Sequence, residues 1–528
     1  MPVFTITIHR YIYLFGLALL AFSLPLSPFG TSISQLIILI NWILEGNFKE
    51  KWVVLKSRKS ILLFSLIFII HAIWLLPPQD YLYAFNDLKV KVPILVLPIL
   101  IGTSGLLSKK LLRSILMFFS AGVILGSLIS ITIFMLKPSV NITNYRDLSP
   151  FISHIRFSLM IAFSVFILIY YSFAEREVRF SGFRKFAGII FSLWLLVFLV
   201  LLKSLTGLII FGIVSYIFLW VFSLKTKRWF KWIYFVLLIF LPLLPGFYIY
   251  KVSKHFTNIE SVDFLKLENK TKSGNEYTFD PNSKSIENGN FVWVYYCEKE
   301  LKNEWAKRSN IDYLGKDNNG NEIRYTLVRY LTSKGLRKDS VSICKLTNEE
   351  IKAVENGVPN YLFLNEWKVY PLIYNLFWQL NEYKNNNNAS GMSLPQRIEY
   401  LKTAKVIISK NIWFGVGTGN VRLAFDKQYE IMNSSLQKEW RLRAHNQLVT
   451  FLLTFGIFGF ALILFSFFYP AIKEKGFKNF LFSALFIIMF FSFLNEDTFE
   501  TQAGVTFFIL FYSLLIFSSK QEVVQNEQ

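Results

Sequence analysis

Histidine is scarce in this sequence: His9, His71, His154, His255 and His445 are its only five, and none is paired at a spacing that a zinc site requires. His445 stands in the company best suited to proton transfer, within Arg441-Leu-Arg443-Ala-His445-Asn446-Gln447, just where a long apolar run begins. An imidazole at a lipid–water boundary can take a proton from a hydroxyl. The adjacent arginines disfavour a second positive charge on the ring, which suits a base. The plainer alternative is an interfacial histidine that only packs. Arginine is the side chain best shaped to fork onto phosphate oxygens. Two more stand out, Arg397 at the head of an amphipathic stretch and Arg156 in Ser153-His-Ile-Arg156-Phe157. Either could be an interfacial anchor or a salt-bridge partner. For Arg156 that alternative is weaker, because a charge several residues inside an apolar run is costly and needs a partner.

Three further sets carry polar or glycine chemistry. Lys203, Ser204, Thr206 and Gly207 form a tight turn between two apolar runs, which suits a helix cap as well as a ligand contact. Gly415-Val-Gly417-Thr-Gly419 has the look of a dinucleotide fingerprint, but no buried strand precedes it. As a turn into a helix N-terminus it could still face an anion. Glu496, Asp497 and Glu500 could hold a cation, or could be a solvated loop that avoids positive charge for topological reasons.

The elements that must position these residues are apolar helices. The chain has 528 residues, 53% of them hydrophobic and 18% aromatic, and a mean hydropathy of +0.41, too apolar for an ordinary soluble fold. A bilayer core needs roughly 20 apolar residues per helix, and about twelve runs approach that length, at 11–29, 31–45, 60–77, 89–102, 112–136, 151–173, 186–202, 204–223, 229–250, 445–470, 478–494 and 500–518. The expected fold is an all-α polytopic membrane protein. The first run is followed almost at once by a second and lacks a small-residue cleavage site, so it reads as a retained helix rather than a signal peptide.

A net charge of +21 raises the question of nucleic acid, but the cations alternate with the helices. Lys49 to Lys59, Lys109 to Arg113, Arg176 to Lys185, Lys225 to Lys231 and Lys473 to Lys478 occupy every second loop. By the positive-inside rule those loops and both termini are cytoplasmic. The basic excess encodes topology, and no nucleic-acid partner is expected. Arg156, Lys203 to Gly207, Arg397, His445 and the 496–502 loop then share the outer face, as transfer from a lipid-linked diphosphate would need.

Four segments follow: helices one to nine in 1–250, an outer insertion in 251–393, an outer helical stretch in 394–444, and the last three helices with a short tail in 445–528. The insertion reads as a small α+β unit, β-prone over Phe291 to Tyr296, helical over Glu298 to Ala306, with a turn at Asp317-Asn-Asn-Gly320. Cys297 and Cys344, the only cysteines, both fall in it, and spacing alone leaves a disulfide or two free thiols open. Leu394, Ile398, Leu401, Ala404 and Ile407 suit an amphipathic helix ending near Asn411, and a second is predicted from about Asn420 to Met432.

Leu394-Pro-Gln-Arg397-Ile-Glu-Tyr-Leu, Gly415-Val-Gly-Thr-Gly-Asn420, Arg443-Ala-His445-Asn-Gln and Phe455-Gly-Ile-Phe-Gly459 resemble, in order and spacing, the conserved block of the O-antigen ligase and Wzy-type polymerase superfamily. With the helix pattern the resemblance extends over most of the chain. Ser285-Ile-Glu-Asn-Gly289 and Tyr330-Leu-Thr-Ser-Lys-Gly335 resemble an insertion of Bacteroidetes-type members. The resemblance implies a GT-C-like, metal-independent, inverting glycosyltransferase without a cofactor, in the bacterial inner membrane with its active face periplasmic. It would move a glycan from undecaprenyl diphosphate to a hydroxyl, on a lipid A-core sugar in a ligase or on another glycan repeat in a polymerase. By position it gives His445 the catalytic-base role and Arg397 the diphosphate, with Gly417, Gly419, Arg441, Arg443, Asn446 and Gln447 around the substrate. Relatives often carry an arginine after the serine of the 203–207 turn, where this chain has Leu205; Lys203 or Arg156 would supply that charge. Two rivals stand beside this reading. A lipid-linked oligosaccharide flippase needs ionisable residues at mid-membrane, and the helix interiors read as nearly free of acids. A sensor of envelope sugars would need only the insertion.

Overall fold

The computed structural model describes residues 3–75, 79–136, 148–226, 228–259, 262–263, 266–364 and 369–518. Lys227 of the loop cations and the chain's two ends, on which part of the expected topology rests, lie outside these residues. The chain divides into two units, Met1–Val221 with Tyr400–Asn433 and Arg441–Gln528, and Phe222–Glu399 with Ser434–Trp440.

The first unit is a helical bundle whose local stops and starts follow from the sequence. Asp80 accepts the amide of Tyr83 at the head of Tyr81–Thr103. Ser27 followed by Pro28 opens Pro28–Glu45, Asn479 opens Phe480–Asn495, and Thr501 opens Gln502–Phe517. Each caps amides that the first turn leaves without a partner. Gln502–Phe517 is buried from Gly504 to its end and packs against Tyr81–Thr103. Its aromatic side chains interlock with neighbouring helices: Tyr512 stacks on Phe64 with centroids 4.0 Å apart, and Phe511 meets Phe119 edge-on at 4.6 Å.

The expected runs fall on helices of unequal length. Six helices among the described residues are long and apolar enough to cross a membrane, or seven if Pro28–Glu45 and Phe48–Ser57, bent by 110°, count as one. Others of the expected runs are shorter. Lys59–Ile73, Phe480–Asn495 and Gln502–Phe517 have 15, 16 and 16 residues, short of the roughly 20 that a bilayer core requires. Tyr81–Thr103 is long enough, yet carries Asp87, Lys89 and Lys91 in its N-terminal half. The chain is a membrane protein of α-helical type.

Gln447–Lys473 is broken at Gly456, whose φ is +64°. The 413–417 segment enters the gap: Val416 and Gly417 donate their amides to Leu453 and Thr454 carbonyls at 2.9 Å, and Ile457 returns one to Ile412. A Cβ at Gly415 would stand 2.3 Å from the Thr454 backbone, and one at Gly456 2.2 Å from that of Trp413. Only glycine permits this approach.

The second unit holds the insertion. Its regular β-structure among the described residues is one antiparallel pair, Ile286–Glu287 with Asn290–Phe291. The expected strand to Tyr296 gives way to turns, tied by single bridges from Tyr296 to Thr278 and Lys338. The helix Glu298–Ala306 forms as expected, and its Leu301 and Trp305 join Leu327, Tyr330, Leu331, Ile343 and Val354 in a small core. Cys297 is buried and Cys344 exposed, both as free thiols.

Candidate functional site

The site is built on a six-residue connection, 496–501, between Phe480–Asn495 and Gln502–Phe517. A solvated acidic loop is one expectation; instead Glu496 and Asp497 are buried, and the Glu500 side chain is only 6% exposed. Buried carboxylates need partners, and the Arg443-Ala-His445-Asn-Gln447 motif supplies most of them. Arg443 donates to Glu500 Oε2 at 2.9 Å and to the Tyr83 hydroxyl at 3.1 Å. The Gln447 amide donates to Glu500 Oε1 at 3.1 Å and accepts the Phe499 N–H at 2.8 Å. Asn446 caps Gln447–Lys473 through the Val449 amide and donates to the Leu494 carbonyl.

His445 itself has a φ of +49°, a left-handed conformation that is strained for a residue with a Cβ. The neighbours hold it there. Its N–H donates to Asp497 Oδ2 at 3.1 Å, while Asp497 Oδ1 accepts the Thr450 hydroxyl at 2.7 Å. The imidazole Nδ1 lies 3.8 Å from Glu496 Oε2, and the ring sits 5.5 Å from that of Tyr400. About a third of the His445 side chain is exposed, against 5% for Glu496. Among these groups the imidazole is the one that can meet a substrate.

Arg156 joins the same cluster. One guanidinium nitrogen lies 3.5 Å from Glu496 Oε2, another donates to the Asp497 carbonyl at 3.2 Å, and its buried Nε has no partner among the described residues. The expectation that a charge inside an apolar run would find a carboxylate is met. The 203–207 turn reaches the cluster through Asn495, whose amide donates to Thr206 Oγ1 at 2.7 Å. Ser204 caps the following helix at Gly207 and bonds Ser158 Oγ at 3.0 Å. Burial pushes the Lys203 ammonium below its usual range.

The electrostatics of the connection differ from one carboxylate to the next. Burial raises Asp497, only partly offset by Arg443. Burial also works on Glu500, but the charges of Lys91 and Arg443 outweigh it and hold that carboxyl well below its usual range. Lys91 donates to Glu500 at 3.0 Å and to Asp87 at 2.5 Å, and is itself fully enclosed. Asp87 is thus an acid enclosed within a helix, paired there with Lys91. Sequence reasoning missed them, although a lysine inside a run is as demanding as the arginine at 156.

Other expected site residues stand differently. The amides of Val416, Gly417 and Thr418 are spent on main-chain carbonyls, so this turn packs a helix break rather than opening toward an anion. Gly419 lines a small cavity of about 10 Å³ shared with Lys91, Arg443 and Glu500. The guanidinium of Arg441 lies 5.9 Å from the Tyr429 ring. Arg397 falls in the second unit, within Ser393–Lys410. Among the described residues no group of three or more His, Cys, Asp or Glu side chains is arranged around a metal-sized point.

Residues 361–464 match the family model described as O-antigen ligase. The matched stretch contains Arg397, the glycine turn, the His445 motif and the break at Gly456, and with it the chain carries the domain of the O-antigen ligase and Wzy superfamily. No curated protein matches the chain.

Proposed function

We propose that this membrane protein transfers a glycan from undecaprenyl diphosphate to an acceptor hydroxyl, as an O-antigen ligase acting on a lipid A-core sugar. The observation that carries the reading is His445: a partly exposed imidazole, fixed in a strained backbone conformation by buried carboxylates and lying inside the matched domain. Such strain is retained where geometry serves chemistry. In the proposed reaction the acceptor oxygen attacks the anomeric carbon as His445 removes its proton. The bond from that carbon to the diphosphate oxygen breaks with inversion, and its electron pair leaves on undecaprenyl diphosphate. Cations facing the departing diphosphate stabilise the charge that develops there. Arg156 suits that task by its place in the cluster, Lys203 by its position in the 203–207 turn and Arg397 by its motif. The phosphate-linked lipid carries the driving force, so neither a nucleotide nor a metal ion is required. The proposal includes the twelve-span topology with both termini cytoplasmic and the site facing the periplasm.

The test is transfer in vesicles that contain purified protein, undecaprenyl-diphosphate-linked glycan and lipid A-core. His445→Ala is expected to insert normally and to lose transfer by at least ~100-fold, the usual weight of a general base. Undiminished transfer would remove the base. Attachment of whole glycan to lipid A-core marks a ligase, whereas elongation of the lipid-linked glycan without that acceptor marks a polymerase.

A further inference from the structure

We propose that Glu496 is the positioning partner of His445, orienting the imidazole and balancing the charge it gains when it takes the acceptor proton. The inference rests on the catalytic reading of His445. Two nitrogens compete to be the base, and the fold distinguishes them. Nδ1 faces the Glu496 carboxylate at 3.8 Å, so the proton of the neutral ring belongs on Nδ1, and Nε2 is left with a lone pair for the acceptor hydroxyl. The backbone bond to Asp497 fixes where the ring starts, and the Tyr400 ring, tilted by 30° at 5.5 Å, limits how it turns.

Glu496 is suited to the task by its own surroundings. It is buried, 5% exposed at the side chain, and Arg156 lies 3.5 Å from the same oxygen that faces His445. A carboxylate between a permanent cation and an imidazole has a counter-charge on one side and a ring to orient on the other. The charged groups around the ring are Glu496 and Asp497 on the connection and Arg156 from His154–Ile169. Arg443 is engaged by Glu500. When Nε2 takes the proton, the imidazolium meets Glu496, and the acceptor oxygen forms its bond to the anomeric carbon as the diphosphate departs. The proton remains on His445 until it is lost to water.

Glu496→Gln keeps the shape and removes the charge. In the vesicle assay, with saturation curves taken across pH, it is expected to lower kcat by ~10- to 100-fold and leave KM within about twofold. Glu496→Asp, which restores the charge on a shorter arm, should recover part of the rate. Wild-type kcat in Glu496→Gln, or a reduced kcat that Glu496→Asp does not raise although both variants melt normally, would overturn the proposal. The underlying reading fails by a different sign, full transfer in His445→Ala.

Discussion

Two sets of buried charges in this molecule follow opposite rules. In the insertion the networks of Glu287, Glu300 and Glu350 close on themselves, although Arg324 Nε there is also buried with no partner among the described residues. Glu287 is fully buried, receives Arg329 at 2.6 Å and Asn360 at 2.8 Å, and the same guanidinium lies 3.9 Å from the Trp378 ring. Burial works against ionised Glu300, yet bonds from Ser340, Thr271 and Asn275 bring its carboxyl down to about 2. Glu350 completes a capping box with Thr347 and binds Tyr330 and Lys334. Around the 496–501 connection the bonds are as dense, but they stop short of closure. A strained imidazole is left partly open, and an arginine nitrogen is buried without a partner. Closure serves the fold; the unspent donor and acceptor are what a substrate could use.

The largest effect expected from this contrast is at Arg156. Arg156→Ala leaves Glu496 buried beside no permanent cation, and breaking such a pair costs about 3 to 5 kcal/mol. Transfer should fall by at least ~100-fold. Arg156→Lys should recover only part of it, since an ammonium cannot reach both Glu496 and the Asp497 carbonyl in the forked manner of a guanidinium. Transfer within tenfold of wild type in Arg156→Ala would mean that this network, like those of the insertion, serves the fold alone.

Next in size is the closed network itself. Glu287→Gln weakens two bonds from Arg329 and leaves that guanidinium without its counter-charge, a loss of about 2 to 3 kcal/mol. The expected readout is faster hydrogen exchange over Ile286–Phe291 and Ile323–Ser333, with the amides of Gln502–Phe517 unchanged. Exchange rising in both places would contradict the division into two units.

What the sequence discloses of these regions depends on whether a residue conflicts with its neighbours. Arg156 and His445 stand out because a charge or an imidazole beside an apolar run must find partners, and both do. Ser393–Lys410 and Val421–Ile431 follow the expected helices within a residue or two, because their periodicity is strong. Asp87 and Lys91 obey the same logic as Arg156, yet at the head of a run they pass for flanking charges that only mark a boundary. The glycines of 415–419 suggest a phosphate turn, since positive φ is legible in composition while the Thr454 backbone that requires it lies 39 residues from Gly415. The break at Gly456 is hidden for a similar reason: Phe455-Gly-Ile-Phe-Gly459 continues the apolar pattern, and only a second segment supplying replacement bonds permits the kink. Span number is less legible than the helices themselves, because hydropathy measures composition, and several apolar helices are shorter than a bilayer core.

The smallest expected effect is a pH slope in the insertion. Lys338 is buried, gives its ammonium to the carbonyls of Phe291 and Val294 at 3.2 and 2.9 Å, and is pushed by burial down to about 7. The unfolded chain keeps that proton up to its ordinary value of 10.5. Between these values the unfolded state binds more protons than the folded one, so stability must rise with pH across the window, by at most ~1.4 kcal/mol per unit. Lys338→Met removes the titration but leaves two carbonyls unbonded, at a cost of about 1 to 3 kcal/mol, so absolute stability is a poor test and the slope a good one. Protection of the Ile323–Ser333 amides, corrected for intrinsic exchange, should increase from pH 7 to pH 9.5 in the wild-type protein and stay flat in Lys338→Met. Equal slopes would show that the ammonium is solvated in the native insertion, and that this region, too, has a cation to spare.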